Sequence, residues 1–143
     1  MKKKVVSMIA LLASILCVFA LCAACTPDKD PLVLKESDTF IVIKADDDAA
    51  GETLANYMTK LKENGDSAVD FEIENGMVKS INGKENAADF SSCWMLYTSD
   101  AENANDAWGT VKYEEKTYGS ATLGAEMLEV KSGEIYIWVY QTF

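Results

Sequence analysis

Apolar and acidic residues alternate strictly from Val69 to Glu74: Val69, Phe71 and Ile73 fall on one side, Asp70, Glu72 and Glu74 on the other. That period of two predicts a half-buried strand. The run VDFEIENGMVKSI then meets Asn75-Gly76, the pair that best tolerates the two positive φ angles of a type I′ turn, so a β-hairpin over Val69–Ile81 is expected. A two-residue turn sets Glu74 opposite Met77, Ile73 opposite Val78, Glu72 opposite Lys79 and Phe71 opposite Ser80. An isolated ribbon is marginal in water, so other elements must cover its apolar face.

The remaining elements follow from the same patterning. Thr39 to Ala45, TFIVIKA, is β-branched and reads as a strand. Leu54, Tyr57, Met58 and Leu61 recur at helical spacing, which predicts a helix from Glu52 to Glu63 ended by Asn64-Gly65. Ser92 to Thr98, SCWMLYT, is apolar on both faces and predicts an interior strand. Ser99 to Gly109 reads as a long polar loop carrying Trp108, Val111 to Tyr113 as a short strand and Tyr118-Gly119 as a turn. Met127 to Val130 reads as another short strand and Lys131-Ser132-Gly133 as a tight turn. Glu134 to Tyr140 is the last strand, with Ile135, Ile137 and Val139 opposed to Tyr136, Trp138 and Tyr140. This order predicts an α+β fold: a β-grasp-like mixed sheet with one main helix packed on one face, its first and last strands central neighbours.

The N-terminus has a different character. Lys2, Lys3 and Lys4 precede an apolar run from Val5 to Leu21, and Cys22-Ala23-Ala24-Cys25 follows. The arrangement resembles a bacterial lipoprotein signal, with Cys22 in place of the usual leucine. It implies cleavage after residue 24 and lipidation of Cys25. An uncleaved transmembrane anchor is the alternative that the length of the run permits. Residues 25–37 contain two prolines and read as a tether of up to roughly 40 Å at about 3.5 Å per residue, leaving 38–143 as the domain. Three of the 13 basic residues and none of the 23 acidic ones lie in the signal, so the remainder carries a net charge of −13. That excess excludes nucleic acid as a partner and disfavours adhesion to anionic lipid. Of four cysteines, only Cys93 stays available in the domain, so no internal disulfide can staple it and burial must hold it together.

Candidate chemistry is sparse. The chain has no histidine and no arginine, which removes Ser-His and Cys-His nucleophiles and bidentate anion clamps, so no enzyme is expected. Asp46, Asp47 and Asp48 can be read as oxygen ligands for Ca²⁺, joined by Asp100, Glu102 or Asp106. They can equally be read as solvated acids favoured at a helix's positive end. Tyr136, Trp138 and Tyr140, with Trp94 and Trp108, form an aromatic set able to stack a flat ligand, a sugar or a protein, or to serve as core. Trp108, in a polar stretch, is the first candidate for ligand contact.

Gly51-Glu52-Thr53-Leu54, Gly76, Ser80-Ile81-Asn82-Gly83, Cys93-Trp94-Met95-Leu96-Tyr97 and Ser132-Gly133-Glu134-Ile135-Tyr136 are, in order and spacing, similar to the transcobalamin-like C-terminal domain family. That family of bacterial surface proteins is related to the β-domain of vertebrate cobalamin carriers. The resemblance implies the β-grasp-like fold and capture of a corrinoid at the cell surface. In the vertebrate carriers a helical barrel completes the site. A lone β-domain would cover one face of a corrin ring and bind weakly unless a partner closed it. Without histidine the usual imidazole ligand for cobalt is missing. The function expected is therefore a lipid-anchored, extracytoplasmic ligand-binding domain. The alternative is an adhesion or assembly module binding a surface protein or cell-wall polymer, with Ca²⁺ at the acidic loops.

Overall fold

The computed structural model describes residues 32–65 and 69–143; the signal, Cys25 and the tether up to residue 31 lie outside them. The last part of the expected tether is a strand. Val33–Ser37 (β1) pairs antiparallel with Phe40–Lys44 (β2), setting Val33 opposite Ile43 and Leu34 opposite Val42. Its reversal carries no glycine: the Ser37 hydroxyl accepts from the Thr39 N–H at 3.2 Å instead, a turn that composition does not announce.

A 3-10 turn at Asp47–Ala49 leads to the helix α1, Leu54–Glu63. Thr53, not the aspartate run, caps it, its hydroxyl accepting from the Asn56 N–H at 3.3 Å, and the first turn holds no acid. The helix-dipole reading of Asp46–Asp48 is thereby corrected: four residues lie between Asp48 and Thr53. Leu54, Tyr57, Met58 and Leu61 are buried as their spacing required. The Tyr57 hydroxyl donates to the Lys44 carbonyl at 3.0 Å, fastening α1 to β2, and burial pushes its pKa up to about 12.

The hairpin forms as β3, Phe71–Glu74, and β4, Met77–Ile81, with φ of 53° at Asn75 and 80° at Gly76. The first two expected pairs hold. A bulge at Lys79 then shifts the register, so Glu72 faces Ser80 and Phe71 faces Ile81. The expected Glu72–Lys79 pair is replaced by Lys79 and Glu74 at 4.0 Å. With β5, Lys84–Glu85, the hairpin makes its own three-stranded sheet.

The remaining strands are β6, Ser92–Thr98; β7, Ala104–Tyr113; β8, Lys116–Ala121; and β9, Ile135–Thr142. The main sheet has the order β1-β2-β9-β6-β8-β7. All its pairings are antiparallel, not mixed. A parallel neighbour needs a crossover, and α1, the element able to supply one, leads into the separate hairpin sheet. The expected loop carrying Trp108 shrinks to residues 99–103, because Trp108 lies in β7. Tyr118-Gly119 is the middle of β8, and the reversal falls at Glu114, with φ of 53°. Met127 to Val130 is no strand: only Glu129 forms a bridge, to Thr53, while Leu128 and Val130 are buried. The fold is α+β, with α1 and the hairpin covering one face of the main sheet over Ile41, Ile43, Trp94, Leu96, Tyr136 and Trp138.

The other face buries Val42, Tyr97, Tyr118 and Ile137 by curling. Phe40 on β2 and Tyr113 on β7 are four strands apart, about 19 Å in a flat sheet, yet their ring centroids are 6.1 Å apart. The bend has a local cause. Adjacent β8 residues Ser120 and Gly119 pair with Asn105 and Thr110 of β7, so Asp106–Gly109 bulge out and the far half of the ribbon folds over the sheet.

Candidate functional site

The bent ribbon leaves a notch. β8 pairs with β6 only at Tyr97 opposite Ser120 and Thr98 opposite Gly119, then departs, whereas β6 stays paired with β9 back to Ser92. Among the described residues no strand of the main sheet lies against β6 from Ser92 to Leu96 on its β8 side, and a cleft of about 330 Å³ occupies the gap. The hairpin turn at Gly76–Val78 and the departing chain at Ser120–Gly124 bound it. Buried Trp94, Leu96 and Trp138 line it together with exposed Met77 and Phe90. A hollow of about 210 Å³ beneath the segment after β5 shares Met77, Val78, Asn86 and Phe90 with it.

Asn86 sets this shape. Its side-chain amide donates to the Val78 carbonyl at 2.8 Å, and its side-chain oxygen accepts from the Trp94 N–H at 2.9 Å. Its backbone N–H donates to the Lys79 carbonyl at 2.9 Å, tying the segment to both β4 and β6. The Ala87 N–H reaches the Ser92 carbonyl at 2.8 Å. The segment then turns through Phe90, whose φ of 57° and N–H bond to the Ala87 carbonyl at 2.9 Å accompany an aromatic ring 53 % exposed. A large apolar side chain in left-handed backbone and largely in water gains little from burial.

The two buried indoles differ. Trp94 donates its ring N–H to the Lys84 carbonyl at 2.8 Å and meets Tyr140 edge-on at 5.4 Å. Trp138 is 4 % exposed and its ring N–H has no hydrogen-bond partner among the described residues. Comparison of the chain with protein-family models, curated proteins and solved structures finds no match. The site therefore rests on its own geometry.

That geometry redistributes the expected site residues. Tyr136 is buried, its hydroxyl accepting from the Lys131 N–H at 3.0 Å, so it is core and not a stacking surface. Tyr140 is half-buried, with its hydroxyl on the Glu85 carbonyl at 2.8 Å and Lys84 over its ring at 4.4 Å. Trp94 and Trp138 reach the cleft as parts of its wall. Trp108 is 62 % exposed on the β7 bulge and does not line the cleft. Met77, Phe90 and Asn86 were missed; Phe90, a lone aromatic in the polar run ENAADFSS, carried the same signal as Trp108.

Asp47, Asp100 and Glu102 are each engaged at the turn that follows Val130. Asp47 accepts from the Ser132 hydroxyl. Asp100 accepts from Lys131 Nζ at 2.8 Å, the Asn103 amide at 2.7 Å and the Glu102 N–H at 3.1 Å. Glu102 shares the same lysine, and Asp106 packs against Gly119. Among the described residues no group of three or more His, Cys, Asp or Glu is placed to hold a metal ion. Cys93, half-buried beside Met95 with Sγ–Sδ at 3.7 Å, has its thiol pKa pushed up by burial, which disfavours the reactive thiolate.

Proposed function

We propose that this chain is an extracytoplasmic, lipid-anchored binding protein without catalytic activity, and that the cleft beside β6 is where it captures its ligand. The observation that carries the reading is the cleft's lining: exposed Met77 and Phe90 over buried Trp94, Leu96 and Trp138. The lipoprotein-like signal and Cys25 would hold the domain at the outer side of the cytoplasmic membrane. The similarity to the transcobalamin-like family makes a corrinoid the first ligand to test. A cleft of about 330 Å³ is too small to enclose a corrin ring, so a corrinoid would seat one edge there and leave the rest for a partner. The β-grasp kinship belongs to the same proposal. Adjacent β2 and β9 and a helix across one face support it, while their antiparallel pairing departs from the mixed sheet it implies.

Calorimetric titration with cobinamide tests this. Saturable heat is expected, lost in the Met77→Ser, Phe90→Ser double variant and kept in Trp108→Ser; absence of heat at millimolar cobinamide would remove the corrinoid. The exposed Trp108 on an edge strand supports a second reading, an adhesion or assembly contact with a surface protein or cell-wall polymer. In that case Trp108→Ser, not the cleft double variant, abolishes retention on cell-wall material.

A further inference from the structure

We infer that Asn75 is a site of spontaneous covalent modification, losing its side-chain amide to become aspartyl or isoaspartyl, and that the fold directs this reaction to the hairpin tip. The chain pairs asparagine with glycine at Asn64-Gly65, Asn75-Gly76 and Asn82-Gly83. Glycine has no Cβ to shield its nitrogen, so that nitrogen, after giving its proton to solvent base, can attack Cγ of the preceding asparagine. The N–Cγ bond forms, the Cγ–Nδ2 bond breaks and the nitrogen leaves as ammonia with the proton. Water then opens the cyclic imide at either carbonyl, and one opening routes the main chain through the former side chain.

The structure restrains two of the three pairs. At the end of α1 the attacking nitrogen is engaged, because the Gly65 N–H donates to the Lys62 carbonyl at 3.1 Å. At Asn82 the carboxamide is engaged instead, its oxygen accepting from the Asp70 N–H at 2.9 Å. Asn75 has neither restraint: among the described residues no hydrogen bond reaches its carboxamide or the Gly76 N–H. Glu74, Asn75, Gly76 and Met77 are all exposed, so the tip can open locally to let the ring close. The product carboxylate would join Glu74, and Glu126 Oε2 lies 3.5 Å from where a Cβ on Gly76 would stand. An isoaspartyl link would also lengthen the main chain beside Met77, on the rim of the cleft. The reaction itself is independent of whether that cleft binds a ligand.

The intact protein is aged in mildly alkaline buffer, with and without urea, and the three sites are followed by peptide mass spectrometry and by isoaspartyl methyltransferase labelling. In the folded protein Asn75 should lose its amide about threefold to tenfold faster than Asn64 or Asn82, the ratio that one hydrogen bond's net strength allows. In urea the three rates should converge, since each asparagine is followed by glycine. If Asn75 keeps its amide as long as Asn82 in the folded protein, or if the same order persists in urea, the fold does not direct the reaction and the inference is overturned.

Discussion

Gly119 sits where β8 meets the Asp106–Gly109 bulge. A methyl group there would overlap the Asp106 carboxylate and stand 3.2 Å from Ala104 Cβ and from the Asn105 nitrogen. Gly119→Ala is expected to cost about 1–3 kcal/mol, read as a shift in urea midpoint. Asp106→Ala in the same chain should return only part of that, because the exposed carboxylate can be removed but the Asn105 backbone cannot. Asp100, 3 % exposed, makes a second prediction at this scale. Burial would raise its pKa, but hydrogen bonds from Lys131, Asn103 and the Glu102 N–H hold it below the ordinary value near 3.8. A carboxylate with a depressed folded-state pKa stabilises fully above the unfolded value, and that contribution is lost as pH falls through the folded one. Asp100→Asn should therefore lower the melting temperature at neutral pH and flatten its decline below about pH 4. Thermal unfolding of both proteins from pH 7 to pH 2 measures the difference.

Among the elements, α1 depends on Thr53, and Thr53→Ala should cost about 1 kcal/mol in chemical unfolding. This helix was legible because a 3.6-residue period survives any tertiary arrangement, and β6 and β9 because interior strands must be apolar on both faces. The hairpin was legible only as far as its turn reaches. Asn75-Gly76 fixes the pairs Glu74–Met77 and Ile73–Val78, after which the bulge at Lys79 moves the register without any mark in the alternation. β7 hid for a related reason. An edge strand with a four-residue bulge has neither a continuous apolar face nor a regular period, so DAWG reads as loop. The cleft was legible least. Its walls come from where β8 leaves β6, a property of two strands far apart in sequence, so the aromatic ladder of β9 could be seen but not which of its members would reach an opening. Trp138 does, and Tyr136 does not.

At the level of the whole molecule, one bulge has two consequences on opposite sides of the sheet. Beyond it, Val111–Tyr113 and Lys116–Tyr118 fold over Val42 and Ile137, closed by Phe40 against Tyr113. Before it, β8 holds β6 by two pairs and then leaves the cleft edge open. Because those pairs, Tyr97–Ser120 and Thr98–Gly119, lie between the curled flap and the cleft, loosening the flap should leave the cleft intact. Tyr113→Ala removes the ring that closes the flap, at a cost of roughly 1–3 kcal/mol for a half-buried aromatic. Amide hydrogen exchange should then accelerate at Val111, Lys112 and Thr117 while Trp94 and Met95 keep their protection, and cobinamide should bind as before. Were exchange to rise equally at Met95, or cobinamide affinity to fall with it, flap and cleft would form one cooperative unit. The bulge would then act as a joint transmitting ligand occupancy from one face of the sheet to the other.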